Sequence, residues 1–130
     1  MNIAALKAEL TAGHPGTGAY NADSLISAQQ INAVNRSVNK TAMTGDEIFA
    51  NTDAAEFDGL SAAKQSLWVA FCGRDSINPW GQANVDFVTW IFGAGPTITA
   101  LQAARVRAVS RADELGLGTV YPGHIEQARA

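Results

Sequence analysis

Glycine and proline cut the apolar periodicity of this chain into short lengths, and that punctuation constrains the fold more than any motif does. Breaks fall at Gly13-His14-Pro15-Gly16-Thr17-Gly18, Gly59, Gly73, Asn78-Pro79-Trp80-Gly81, Gly93-Ala94-Gly95-Pro96, Leu115-Gly116-Leu117-Gly118 and Pro122-Gly123. Proline cannot donate to a helix ladder and glycine weakens it, so each cluster ends one helix or opens the next. Between the breaks, apolar residues recur at three and four, and no run of β-branched residues alternates with polar ones. The pattern predicts an all-α chain, a compact bundle of five to seven short helices with a loop-like N-terminal region and an extended C-terminal tail.

The segments follow in order. Ile3, Leu6 and Leu10 define a first helix with Asn2 as its cap, ended by the Gly13 to Gly18 loop. A second helix is predicted from Ser24 to about Val38, capped by Asp23 or Ser24 and carrying Leu25, Ala28, Ile31, Val34 or Asn35, and Val38 near one face. Thr44-Gly45-Asp46-Glu47 has capping-box spacing before a helix of little more than a turn, and another begins at Thr52 or Asp53 and stops at Gly59. Ser61 caps a central helix through Leu67, Ala70 and Phe71, and Val85, Val88, Ile91 and Phe92 mark the next. Pro96-Thr97 opens the longest predicted helix, running to Leu115 with Arg105, Arg107 and Arg111 outward. The domain is one, 1–130, with its body at about 1–117 and a tail at 118–130.

Composition narrows the function classes. Of 130 residues 24 are alanine, against 37 for all larger apolar residues, so helices are favoured but the core is thin. One cysteine gives no disulfide framework, and two histidines give no cluster for a metal. A net charge of −3 argues against a dedicated nucleic-acid binder. The first residues have no basic signal region, no run has the length of a membrane span, and a soluble protein made in a reducing compartment is expected. Charged residues are only 16%, which suggests that other subunits cover part of the surface.

No motif assembles catalytic chemistry, and no cofactor is expected. The Gly13 to Gly18 stretch is glycine-rich like a phosphate loop, but a helix precedes it and Ala19-Tyr20 follows where a Lys and a hydroxyl residue are needed. It is expected to be a surface or partner-contacting loop. Cys72 ends a core helix beside Phe71 and is expected to be buried and inert, and His14 and His124 to be surface or helix-start residues. Asp46, Glu47, Asp53, Glu56 and Asp58 lie at helix starts, where capping and the helix dipole account for them. Trp68, beside Leu67 and Phe71, is expected to lie partly in the core. Trp80, after Pro79 in a turn, and Trp90, beside Ile91, are candidates for a partner surface, because tryptophan buries much area at little entropic loss. Arg107 and Arg111, four apart on the predicted last helix, are expected to form interface contacts or intersubunit ion pairs.

Four stretches then carry a resemblance: Leu6-Lys7-Ala8-Glu9-Leu10, Thr41-Ala42-Met43-Thr44-Gly45, Ile77-Asn78-Pro79-Trp80-Gly81 and the run from Ala104 to Leu117. In this order, ending in a short segment after a glycine, they resemble the small structural proteins of tailed bacteriophages, most of all the head–tail connectors of the adaptor kind. The resemblance spans nearly the whole chain and implies a non-enzymatic virion protein of the neck. It implies a homo-oligomeric ring, commonly of twelve copies, between the portal protein and other neck or tail proteins, with DNA passing through its channel without sequence-specific contact and no membrane partner. By the same analogy the segment from Thr119 to Ala130, with Tyr121, His124 and Ile125, is assigned to the portal and the Gly13–Tyr20 loop to a neighbour. Two other readings stand beside it. One is another neck, tail-completion or capsid-associated phage protein. The other is a cytoplasmic helical binding module in which Trp80 and Trp90 form a peptide groove.

Overall fold

The structure, a computed structural model, describes residues 1–130. It is mostly helical, with nine helices, six of them of seven residues or more, and one small antiparallel sheet of two strands. The helices are α1 (Ile3–Ala12), α2 (Ser24–Asn32), α3 (Gly45–Ala50), α4 (Ala54–Asp58), α5 (Ala62–Cys72), α6 (Gln82–Phe92), α7 (Pro96–Ala104), α8 (Arg111–Glu114) and α9 (Pro122–Arg129). The strands are β1 (Val34–Asn39) and β2 (Val106–Ser110). No helix is long and apolar enough to cross a membrane. The chain forms two compact units, one of Met1–Val38 with Ala108–Ala130 and one of Asn39–Arg107.

The strands correct the all-α expectation. Val34 and Val38 fit the helical spacing of α2, yet Ala33 takes an extended conformation at φ −63° and ψ 132° and the helix ends at Asn32. Beyond it Arg36 and Val38 are half-buried while Asn35, Ser37 and Asn39 are exposed, the two-residue period of a strand. The predicted helix from Pro96 to Leu115 divides into α7, β2 and α8 for the same reason. Arg107 and Ala108 are good helix formers, but pairing with β1 outweighs a propensity worth tenths of a kcal/mol per residue.

In the first unit, α1 and α2 both pack on α9, and α2 also packs on α8. Their shared core is Leu6, Ala28, Ile31, Ala112, Leu117, Val120, Ile125 and Ala128. Small residues at 28, 112 and 128 let the helices approach closely, as the alanine content requires. Asn32 fixes the chain entering α9, donating Nδ2 to the Val120 carbonyl at 2.7 Å and accepting the Val120 N–H at 3.0 Å. The C-terminal segment is therefore a packed helix and not an extended tail. Ile125 is wholly buried and supplies the apolar staple that holds α9 down.

In the second unit, α3 packs on α5 and α6 on α7, around Met43, Ile48, Trp68, Phe71, Cys72, Ile77 and Ile91. Trp68 is wholly buried, stacked on Phe71 with ring centroids 5.5 Å apart and edge-on to Phe92 at 4.8 Å. Its indole N–H donates to Thr52 Oγ1 at 3.0 Å, so a large aromatic is buried with its polar atom satisfied. Two crossed bonds tie α4 to the start of α7: Thr97 N–H donates to Glu56 Oε1 at 2.7 Å, and Asp53 N–H donates to Thr97 Oγ1 at 3.0 Å.

Candidate functional site

A half-open cavity of about 80 Å³ lies in the second unit, walled by Met43, Ile48, Phe71, Ile77, Val88, Ile98 and Leu101, with Asn84, Thr89, Gln102 and Arg105 as its polar residues. The walls follow from the sequence locally. Val85 and Val88 on α6 face Ile98 and Leu101 on α7, and these short side chains leave the space that larger ones would fill. Met43 and Ile77 close one side by exchanging backbone hydrogen bonds, both 2.8 Å.

Trp80 and Arg105 meet beside this cavity. Asn78 shapes the turn: its Oδ1 accepts the Trp80 N–H at 3.0 Å and its carbonyl accepts Asn84 Nδ2 at 3.0 Å. Trp80 Nε1 then donates to the Arg105 carbonyl at 3.3 Å, and the Arg105 guanidinium lies over the indole at 3.7 Å from the ring centroid. Arg105 caps α7 instead of pointing outward from a longer helix, and its Nε is buried without an acceptor. No carboxylate lines the cavity. Comparison with protein-family models, with curated proteins and with solved structures found no match to this chain.

The other residues expected at an interface divide sharply. Trp90 is 57% exposed on α6, with Lys64 Nζ 4.6 Å above its ring and 2.9 Å from its carbonyl. Phe87 lies 6.3 Å from Trp90, and Phe87 also lines a shallow groove with Leu67, Ala70, Ala83 and Arg74. Leu67, Val69 and Trp90 are the exposed large apolar residues of α5 and α6. Tyr121 is 61% exposed and caps α9 together with His124, whose Nδ1 accepts the Tyr121 N–H at 3.1 Å. Arg107 is exposed on β2, so it shares no helical face with Arg111.

Arg111 and Ile125 lie elsewhere than expected. Arg111 opens α8 and binds Glu9 through Nε at 2.9 Å and Nη2 at 3.1 Å, an internal ion pair that leaves it no free fork for another subunit. Ile125 is core, as above. His14 is also buried, at 3% exposure. Its Nδ1 accepts the Gly16 and Thr17 N–H groups at 2.9 and 3.0 Å, which closes the Gly13 to Gly18 loop on itself. The sequence held a sign of the Glu9 pair, since Glu9 falls on the same face as Leu6 and a charge on an apolar stripe needs a partner.

The remaining candidates have structural roles. Asp53 caps α4 by accepting the Glu56 N–H at 2.9 Å. Cys72 is buried, and its burial pushes the thiol pKa up to about 12, so it is not a nucleophile at neutral pH. No three acidic, histidine or cysteine side chains gather where a metal ion would sit.

Proposed function

We propose that this chain is a structural subunit of a tailed-phage virion, a head–tail adaptor that forms a ring between the portal and the neck or tail proteins. The observation that carries the reading is the exposed apolar surface on each unit. The second unit exposes Leu67, Val69 and Trp90 on α5 and α6, and the first exposes Leu25, Ile26, Val34 and Tyr121. A ring closes through heterologous contacts, so every subunit needs two different patches that complement each other. Exposed large apolar residues on both units of a chain sparing in charge support that reading, and the resemblance in four stretches of sequence suggests the place in the particle.

The portal contact is assigned to the exposed face of α9 with Tyr121 and His124. DNA passes a lumen of this acidic chain without being held in any sequence-specific way. Mass measurement of the purified chain, alone and with its portal, tests the reading. A closed oligomer or a portal complex is expected, and Trp90→Lys is expected to weaken it. A chain that stays monomeric, ignores the portal and is missing from purified particles would overturn it.

A further inference from the structure

We propose that His14 is a proton-operated latch on the Gly13 to Gly18 loop, closed while its Nδ1 carries no proton and released at the loop tip when that nitrogen takes one. The buried ring is fixed by what it accepts, since the Gly16 N–H at 2.9 Å and the Thr17 N–H at 3.0 Å both end on Nδ1. A ring nitrogen that accepts N–H groups has its lone pair engaged, so the neutral imidazole holds its one proton on Nε2. Nε2 is buried and has no acceptor. The two backbone bonds at Nδ1 are therefore the only hydrogen bonds the imidazole makes. Protonation of Nδ1 removes both at once, because it sets a donor against two donors.

The release is confined to the tip. The His14 N–H donates to the Gly18 carbonyl and the Gly18 N–H to the His14 carbonyl, both at 2.8 Å, and neither bond uses the ring. Gly13 and Gly18, at φ +91° and +85°, form the corners of this neck in a conformation that glycine adopts without strain. Pro15, Gly16 and Thr17 lie between them and are exposed. Three elements bring charges towards the ring. Glu9 of α1 interacts with His14 by charge, and Arg111 of α8 and the Tyr20 hydroxyl already bind that carboxylate. Tyr20 itself meets the imidazole edge-on, with ring centroids 6.0 Å apart. From β1, Arg36 Nη1 comes within 3.8 Å of where a Cβ on Gly16 would stand, and Glu114 pairs with Arg36. A charged ring gains from Glu9 but loses both its bonds and stands near Arg36, so it is accommodated by moving Gly16 and Thr17 into water. The latch depends on this loop alone, and it and the ring of subunits can each fail without the other.

The test follows the full chain, labelled with nitrogen-15, from about pH 8 to about pH 5 by magnetic resonance. Glu9, held below its ordinary range, stays ionised over this span. At the upper end the His14 ring resonances are expected to place the proton on Nε2. As the ring titrates, exchange protection of the Gly16 and Thr17 amides, corrected for the intrinsic pH dependence, is expected to fall about tenfold or more. The amides of Ile125 and Ala128 in the core are expected to keep theirs. His14→Asn offers an oxygen that accepts the same turn N–H groups and does not titrate, so its loop protection is expected to be independent of pH. If that variant does not fold, the titration of the natural chain decides. A proton on Nδ1 at the upper end, or a ring still neutral at the lower end, would overturn the proposal. So would a titrating ring with unchanged Gly16 and Thr17 protection, or protection lost only together with that of Ile125 and Ala128.

Discussion

Arg111 grips Glu9 with two parallel hydrogen bonds, joining residues 102 positions apart across the first unit. Tyr20 adds its hydroxyl to the same Glu9 oxygen at 2.9 Å, while Glu114 links Arg111 to Arg36. Burial raises the Glu9 pKa, but the hydrogen bonds from Arg111 and Tyr20 and the Arg111 charge outweigh it and hold the carboxyl below its ordinary range. A depressed carboxyl stabilises the fold above its unfolded pKa, and the contribution is lost as pH falls through the folded value. Unit one is therefore expected to weaken on acidification below the ordinary glutamate range. Urea titrations at stepped pH check this: Glu9→Gln should be less stable at neutral pH and flatter in its pH dependence. Glu114, also held low, chiefly by its hydrogen bond from Arg36, keeps some slope in that variant.

Removing the other partner is harsher. Arg111→Ala leaves Glu9, only 5% exposed, without a counter-charge and with Tyr20 as its remaining side-chain donor, and is expected to cost about 3 kcal/mol. Chemical denaturation followed by the exchange of α1 and α9 amides measures it.

The last helix is part of the core. Ile125→Ala is expected to cost about 2–5 kcal/mol, the range for a wholly buried aliphatic. Truncation after Leu117, which an extended tail would survive, removes Val120, Ile125 and Ala128 from the cluster around Leu6 and Ile31. Loss of the first unit's amide protection is the expected result, and an intact, fully protected truncated chain would contradict it.

Gly45 has no room for a side chain. A Cβ there would lie 1.8 Å from the Cys72 carbonyl oxygen, which is backbone and cannot swing aside. Gly45→Ala is expected to cost more than about 3 kcal/mol, at the top of the range for overpacking. Thermal unfolding read through Trp68 reports on it directly.

Cys72 is expected to resist thiol reagents in the native protein at pH 8 and to react at once in denaturant. Its buried thiol has both little access and a raised pKa. Reaction kinetics with an aromatic disulfide at rising urea concentration check this.

Much of the helical layout was legible locally. Asn2, Thr44 and Ser61 cap the helices that their positions in the sequence announce, and of Thr52 and Asp53 it is Asp53 that caps α4, because a cap is a contact between residues two or three apart. Gly73 and Gly93 end α5 and α6 where the punctuation says. Trp90 and Tyr121, both expected at a partner surface, are exposed. The cavity was not legible, since it depends on which short side chains of α6 and α7 come face to face.

The sequence by itself determined where α1, α4, α5 and α6 stop and where α7 opens, because glycine, proline and capping residues act over a few positions. Tertiary structure alone decided three things that rest on partners far along the chain. It turned Val34–Asn39 and Val106–Ser110 into strands, since each satisfies its backbone groups only against the other. It drew α9 into a core with Leu6 and Ile31, because a thin alanine-rich core needs every large apolar residue available. And it placed Arg111 on Glu9 and Arg105 on Trp80, which gave one arginine an internal partner and left the other with an unused donor.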